Sequence, residues 1–259
     1  MTKTALITGS SSGIGLELAK IHAAKGDNLV LVARSLSKLE ALKQQLEQQN
    51  HIKVHVIEKD LSLTDSSQQI FDETREKNIQ IDYLINNAGF GDFGLFFQTQ
   101  WSKELQMINL NITALTHLCK LYIPEMMQQG GGKILNVAST AAFQPGPTMA
   151  IYYATKAYVL HFSEAIGNEL IGTNITVTAL CPGATESGFQ KVAAMEESNL
   201  VKGKKLPSSK SVAEYGYRAM MKGKAVAIHG LMNYLMANSV RFSPRAMVVK
   251  LARKIQDKV

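Results

Sequence analysis

The chain is poor in cysteine, with only Cys119 and Cys181 among its 259 residues. Both stand in apolar stretches and read as buried, reduced thiols. A disulfide framework and a zinc-type ligand pattern are therefore excluded. Long hydrophobic runs are missing too. The most apolar late stretch, residues 225–240, is broken by His229, Asn233 and Asn238 and is shorter than the ~20 residues a bilayer span needs. No long basic tract is interleaved with aromatics, so the net charge of +7 permits attraction to phosphate-bearing ligands without arguing for nucleic acid. Repeats and low-complexity linkers are absent. The chain enters a strand within its first few residues, so no signal peptide is expected. A hydrophobic content of 46% against 19% charged residues lies outside disordered compositions. The expectation is a cytoplasmic protein with one domain over residues 1–259, large enough for a sizeable core.

What is present begins with Lys3 to Thr8, a short apolar strand. It runs into Thr8, Gly9, Ser10, Ser11, Ser12, Gly13, Ile14 and Gly15, and an apolar-periodic helix follows to Lys25, ended by Gly26 as a C′ residue. Strand, glycine turn and helix together let backbone approach a pyrophosphate at a helix N-terminus. Asn28 to Ala33 is a second strand. A site for NAD carries an acid near its end to accept from the ribose 2′-hydroxyl. Here that place holds Ala33, followed by Arg34 and Ser35, which suits a 2′-phosphate and so NADP(H). Arg34 is alternatively an ordinary solvated loop charge.

Ser37 with Glu40 reads as a capping box opening a polar helix to Gln49. A third strand, Lys53 to Lys59, ends at Asp60 and Leu61. Asp60 either accepts from an adenine amino group or caps the loop. After a helix from Asp65 to Lys77, the fourth strand, Ile81 to Ile85, leads into Asn86, Asn87, Ala88 and Gly89. Small and amide side chains at a strand's carboxyl end are where an open α/β sheet holds its ligand. Ser102 reads as the cap of a long helix to about Gln129. Asn111 falls in its middle, where Asn is a poor helix former, so it is a candidate site residue or a satisfied structural one.

Lys133 to Ala138 is a fifth strand that delivers Ser139 at its end. Tyr152 follows thirteen residues later and Lys156 four after that. A helix from Tyr152 to Leu170 puts phenol and ammonium one turn apart on one face. An ammonium beside a phenol favours the phenolate. A working pKa near ~7 needs about three units, roughly 4 kcal/mol, of which one Lys supplies part. Taken alone, the pair is equally a surface contact. A sixth strand, Ile175 to Leu180, precedes Pro182, Gly183, Thr185 and Ser187. Residues 188–207 read as a long loop of the kind that forms a substrate lid. Ser211 with Glu214 is a second capping box, and Lys224 to Ile228 a last strand. Ser243 and Pro244 start a final helix to Lys258, with Pro at N1. Its apolar stripe of Met247, Val248, Leu251 and Ile255 docks on the domain, or else faces a membrane surface or acidic partner.

These motifs in this order resemble the short-chain dehydrogenase/reductase family over nearly the whole chain to about residue 230. The resemblance rests on Thr8 to Gly15 with its Thr-Gly-x-x-x-Gly-x-Gly spacing, on residues 86–89, on Asn111, Ser139, Tyr152 and Lys156, and on Pro182-Gly183. It implies a doubly wound Rossmann fold of seven mainly parallel strands with helices on both faces, and transfer of a hydride between NADP(H) and a carbonyl or alcohol. Tyr152 is then the general acid and Ser139 the donor to the substrate oxygen. Lys156 lowers the phenol's pKa and bonds the nicotinamide ribose, while Asn111 holds a water for proton refilling. Thr185 or Ser187 meets the nicotinamide carboxamide. The resemblance also implies a homo-oligomer built on the long helices at Ser102 and Tyr152.

The substrate is open. Phe90, Phe93, Phe96, Phe97, Met149, Phe189 and Met195 would form an apolar pocket for a ketone, a steroid-like ring or an acyl chain. Lys202, Lys204 and Lys205 would favour a phosphate-bearing carrier, which makes a 3-oxoacyl-thioester reductase the alternative. An NADPH-binding regulatory or scaffold protein has no chemical need for all four of Ser139, Tyr152, Lys156 and Asn111.

Overall fold

The structure is a computed structural model, which describes residues 2–189, 193, 203 and 205–256. Seven short apolar stretches form strands: β1 (Thr4–Thr8), β2 (Asn28–Ala33), β3 (Val54–Glu58), β4 (Tyr83–Asn86), β5 (Gly132–Val137), β6 (Ile175–Cys181) and β7 (Val226–Ile228). They make one sheet in the order β3-β2-β1-β4-β5-β6-β7, and every neighbouring pair is parallel. Both faces of such a sheet must be covered, which is why its strands are apolar throughout rather than alternating. In β1, Ala5 and Ile7 pack on one side with Leu18 and Leu39, while Leu6 packs on the other with Leu84 and Leu118. The two faces are thus filled from alternate residues of the same strands.

Helices α1 (Gly13–Ala24), α2 (Leu36–Asn50) and α7 (Ser209–Met221) contribute Leu18, Leu42 and Val212 to the first layer. Helices α3 (Ser66–Glu76), α5 (Leu115–Gln128) and α6 (Ala150–Glu169) contribute Ile70, Leu118 and Val159 to the second. Strand β1 pairs with β2 on one side and β4 on the other, so the chain changes direction between their carboxyl ends. A crevice opens there, and it is where a sheet of this kind binds its ligand.

Several helix starts differ from expectation. Helix α2 is preceded by Ser35, whose side chain caps nothing, so the Ser37–Glu40 box does not form. Helix α7 is capped by Ser208, whose hydroxyl accepts from the Ser211 N–H at 3.2 Å, which displaces the Ser211–Glu214 box. The helix expected from Ser102 begins at Trp101 as α4 (Trp101–Ile108) and passes through a π-helical segment at Asn109–Ala114 before α5. Pro244 lies just before α9 (Arg245–Gln256) rather than inside it, and its carbonyl accepts from the Met247 and Val248 N–H groups. A further helix, α8 (Leu231–Ser239), lies in the late apolar stretch after the expected last strand, where no element was expected. Most of the expected lid at 188–207, with Met195, Lys202 and Lys204, lies outside the described residues, as does Lys258. Among the described residues no helix is long and apolar enough to cross a membrane, and no cluster of side chains could hold a metal ion.

Candidate active site

The glycine turn is shaped by contacts that exclude any side chain. A Cβ on Gly9 would lie 2.9 Å from Ala88 Cα, and one on Gly15 would lie 2.4 Å from both Asn87 Nδ2 and the Gly9 carbonyl oxygen. Gly9 and Gly13 also hold φ at +66° and +58°, the region that glycine enters without penalty. A latch closes the turn onto β4. Asn87 Nδ2 donates to the Thr8 and Gly9 carbonyls at 2.9 and 3.2 Å, and Thr8 Oγ1 accepts from the Asn87 and Ala88 N–H groups at 3.0 Å each. Ser12 precedes α1, but its side chain makes no capping bond. The first N–H groups of α1, at Gly13, Ile14 and Gly15, are therefore left for an anion. Ser11 and Ser12 flank them on the rim, and the Ser187 side chain stands beside Gly13.

At the end of β2, Ala33 is buried and Arg34 exposed, and no acid occupies the place that would accept from a ribose hydroxyl. Asp60 Oδ1 accepts from the Ser62 N–H at 2.9 Å and the Ser62 hydroxyl at 2.7 Å, so one of its carboxylate oxygens closes the loop. Next to it, Leu61 borders a recess of about 290 Å³ shared with Asn109 and Thr113. Beyond β6, Pro182 accepts from the Thr140 N–H at 2.9 Å, and Thr185 Oγ1 turns back to the Gly183 carbonyl at 2.9 Å.

Ser139, Tyr152, Lys156 and Asn111 converge beside this turn. Ser139 leaves β5 and caps a short 3-10 turn, Thr140–Phe143, its hydroxyl accepting from the Ala141 N–H at 3.1 Å. The same hydroxyl donates to the Pro182 carbonyl at 3.4 Å and stands close enough to the Tyr152 phenol to favour its ionised form. Tyr152 is 9% and Lys156 5% exposed. Lys156 Nζ donates to the Val137 carbonyl at 2.7 Å and lies 5.8 Å from the centre of the Tyr152 ring. Burial governs both groups. It raises the phenol to about 12, with the Ser139 hydroxyl pulling the other way, and lowers the amine to about 8. Loss of water, rather than the expected attraction of the amine, therefore decides the direction at the phenol.

Asn111 is explained by the π segment. One extra residue in a helix breaks the regular ladder and re-aims a side chain. Both Asn111 amide hydrogens are used, on the Phe90 carbonyl at 3.0 Å and Thr155 Oγ1 at 3.1 Å, and its Oδ1 accepts from the Phe90 N–H at 3.2 Å. It clamps the chain just after Gly89, whose added Cβ would meet Asn111 Oδ1 at 3.0 Å and Lys156 Nζ at 3.4 Å.

On the open side of Tyr152 lies an apolar wall. Phe189 sits 5.3 Å from its ring, and Met107, Met149, Phe90 and Phe93 pack in the same cluster. Phe96 stands over a recess of about 230 Å³ bordered by Met107, Thr148, Met149 and Tyr152, whereas Phe97 points into solvent at 80% exposure. Thr148 holds φ at +70°, an unfavourable conformation for a β-branched residue. Its carbonyl takes the Gly94 N–H at 2.8 Å.

Two contributors went unnoticed in the sequence. Thr155 anchors Asn111, and Asn136 in the middle of β5 accepts from Asn86 Nδ2 at 2.9 Å while donating to Ser163 at 2.9 Å. An amide between Leu135 and Val137 was the available signal, by the same reasoning that singled out Asn111. Cys119 and Cys181 are buried and free, their thiols raised to about 12 by burial.

The family description "short chain dehydrogenase" matches residues 3–198. The sulfoacetaldehyde reductase of Chromohalobacter salexigens is 37% identical over 194 residues, 74% of this chain and 76% of that protein. A short-chain dehydrogenase from Sphingobium yanoikuyae, solved in complex with NADPH, is similar with a TM-score of 0.82 at 32% identity, covering 93% of this chain and 94% of that one. The bulky-bulky ketone specific alcohol dehydrogenase from Comamonas testosteroni gives a TM-score of 0.79 at 31% identity, covering 93% and 92%. With its parallel sheet, its glycine turn at the reversal point and this match over three-quarters of its length, the chain belongs to the short-chain dehydrogenase family of oxidoreductases.

Proposed function

We propose that this protein reduces an apolar ketone to an alcohol, or runs the reverse, with NADP(H), and that Tyr152 transfers the proton. The observation that carries the proposal is the convergence of Ser139, the Tyr152 phenol and the buried Lys156 amine, beside an uncapped helix N-terminus. The dinucleotide fits the residues present. Gly13, Ile14 and Gly15 would meet its pyrophosphate, and Arg34 beside Ala33 would meet a 2′-phosphate. When bound, the cofactor supplies or takes the hydride.

The chain's own residues handle the oxygen. Ser139 and Tyr152 donate to the carbonyl, where negative charge develops. A phenol raised to about 12 stays protonated at neutral pH and is still far more acidic than an alkoxide, so it surrenders its proton only as that charge appears. Lys156, lowered to about 8, remains mostly an ammonium at pH 7 and stabilises the phenolate left behind. Asn111 has both amide hydrogens committed to Phe90 and Thr155, so its part is to fix the strap after Gly89.

The apolar cluster of Phe90, Phe93, Met149 and Phe189 around Tyr152 favours a bulky ketone, in line with what the Comamonas enzyme is named for. NADP(H) is favoured by Ala33-Arg34 and by the NADPH held in the Sphingobium relative.

The test follows NADPH oxidation across ketones, aldehydes and 3-oxoacyl thioesters, repeated with NADH. Bulky ketones with NADPH should turn over fastest. Tyr152→Phe should lose about 10²–10⁴ in turnover while still binding NADPH by fluorescence titration. Unchanged turnover in that variant would refute the assignment. Preference for thioesters would move the substrate reading to the ketoacyl alternative.

A further inference from the structure

Helix α9 was expected either to dock its apolar stripe on the domain or to turn it outward; of that stripe Val248 is half-buried and the other three residues turn outward. Met247, Leu251 and Ile255, spaced four apart, are all exposed, while Ala252 and Gln256 face inward. The preceding elements do the same. Leu231 in α8 is 76% exposed, Leu235 and Met236 are exposed beside it, and Phe242 on the 3-10 turn Val240–Phe242 is 89% exposed. Three consecutive elements thus hold large apolar side chains out to water, far beyond scattered surface hydrophobes.

The charge on this face is of one sign. No Asp or Glu occurs between Glu214 and Asp257, and the exposed Arg241, Arg245, Lys250, Arg253 and Lys254 lie among the apolar residues. A symmetric dimer through this surface would bring the same cations against each other, with no carboxylate among the described residues of these three elements to receive them. Long apolar side chains mixed with Lys and Arg are the pattern of helices that lie in the headgroup layer of a bilayer.

The face is also tied to the cleft. Gln256 Oε1 accepts from Thr148 Oγ1 at 3.3 Å, and Thr148 borders the recess beside Tyr152. Asn233, on the inner side of α8, packs so close to Gly183 that a Cβ there would lie 2.6 Å from its Nδ2.

We propose that α8, the Val240–Phe242 turn and α9 form a docking face for an anionic lipid surface, which sets the mouth of the Tyr152 cleft against the bilayer. Docking follows from the face alone. That the substrate enters from the lipid phase rests additionally on the catalytic reading given above.

The experiment is co-sedimentation of the full chain with sucrose-loaded vesicles of phosphatidylcholine, with and without phosphatidylglycerol. The protein should pellet with the anionic vesicles, much less with phosphatidylcholine alone, and less again as salt rises. Arg241→Glu with Arg245→Glu should weaken binding about twenty-five-fold or more, at about fivefold per cation removed. Phe242→Ser with Leu235→Ser should weaken it at every salt concentration. These exposed changes should leave reduction of a water-soluble ketone intact. Tyr152→Phe should bind vesicles like the wild type, which separates docking from catalysis. Three results would overturn the proposal: no pelleting with anionic vesicles, variants that bind as the wild type does, or a dimer in sedimentation equilibrium that Phe242→Ser dissociates.

Discussion

Replacing Lys156 with methionine should make the protein more resistant to unfolding by an amount that depends on pH, while abolishing turnover. The amine is 5% exposed and lowered from 10.5 to about 8, chiefly by burial. At pH 7 the folded protein therefore carries an ammonium that would rather be in water, at a cost of roughly 3 kcal/mol at about 1.36 kcal/mol per unit. The unfolded chain binds the proton more tightly, so stability rises with pH through the window from about 8 to 10.5. Between pH 7 and pH 9.5 the cost falls from roughly 3 to about 1.4 kcal/mol, a gain of about 2 kcal/mol. In a chain this long that is about 4–8 °C in Tm. Methionine removes the charge but leaves the Val137 carbonyl without its 2.7 Å donor, an offsetting penalty of about 1–3 kcal/mol. The net gain at pH 7 is therefore about 0–2 kcal/mol. The sharper observable is the slope, since every other titrating group is common to both proteins. Thermal unfolding without cofactor, at pH 7 and 9.5, should show the wild type gaining on the variant. Parallel curves would refute a buried, protonated Lys156.

The other changes test neighbouring steps. Ser139→Ala should lower kcat about 10²–10³ in a steady-state NADPH assay, with the NADPH dissociation constant unchanged. Gly15→Ala places a Cβ 2.4 Å from Asn87 Nδ2 and the Gly9 carbonyl, so it should cost about 1–3 kcal/mol in urea unfolding and weaken NADPH binding at least about tenfold by prying open the phosphate turn. Ala33→Asp puts a carboxylate where the 2′-phosphate would lie. It should raise the NADH-to-NADPH ratio of kcat/KM by about tenfold or more, since about 1.4 kcal/mol of discrimination suffices for that factor.

The sheet and the glycine turn were legible because their causes are local. Strands such as Leu29 to Val32 are apolar on both faces, and a glycine at Gly9 or Gly15 is required wherever two backbones must touch. Helix starts were less legible because several serines compete for each. Ser208 wins over Ser211 at α7 since Glu186 pairs with it in an isolated bridge, with the Glu186 N–H bonded to the Pro207 carbonyl at 2.9 Å, which fixes where the helix can begin. Helix α8 escaped notice because its apolar residues do not sort into a buried face. Leu231, Met232, Leu235 and Met236 share one side at helical spacing, yet that side is the exposed one. A reader who expects apolar residues to be buried sees only an interrupted run. The pKa reversal at Tyr152 was hidden for a related reason. Spacing reveals that an amine stands one turn from a phenol, but not how much water reaches either.

The polar residues of α6 explain how such a site holds its shape. Tyr152, Thr155, Lys156 and Ser163 are buried along a helix that also buries Tyr153, Val159 and Leu160. These polar groups reach two other elements: Thr155 reaches Asn111 in the π segment, while Lys156 and Ser163 reach Val137 and Asn136 in β5. A rotation of α6 by one residue, about 100°, would part each of these groups from its partner. At about 1–3 kcal/mol for each buried group left unmet, three amount to about 3–9 kcal/mol, against about 5–15 kcal/mol for the whole stability of an ordinary domain. The helix has one angular setting, and in it the phenol faces Ser139. The hydrogen bonds beneath the cleft thus act less as a source of stability than as a register mark, and catalytic alignment follows from that mark.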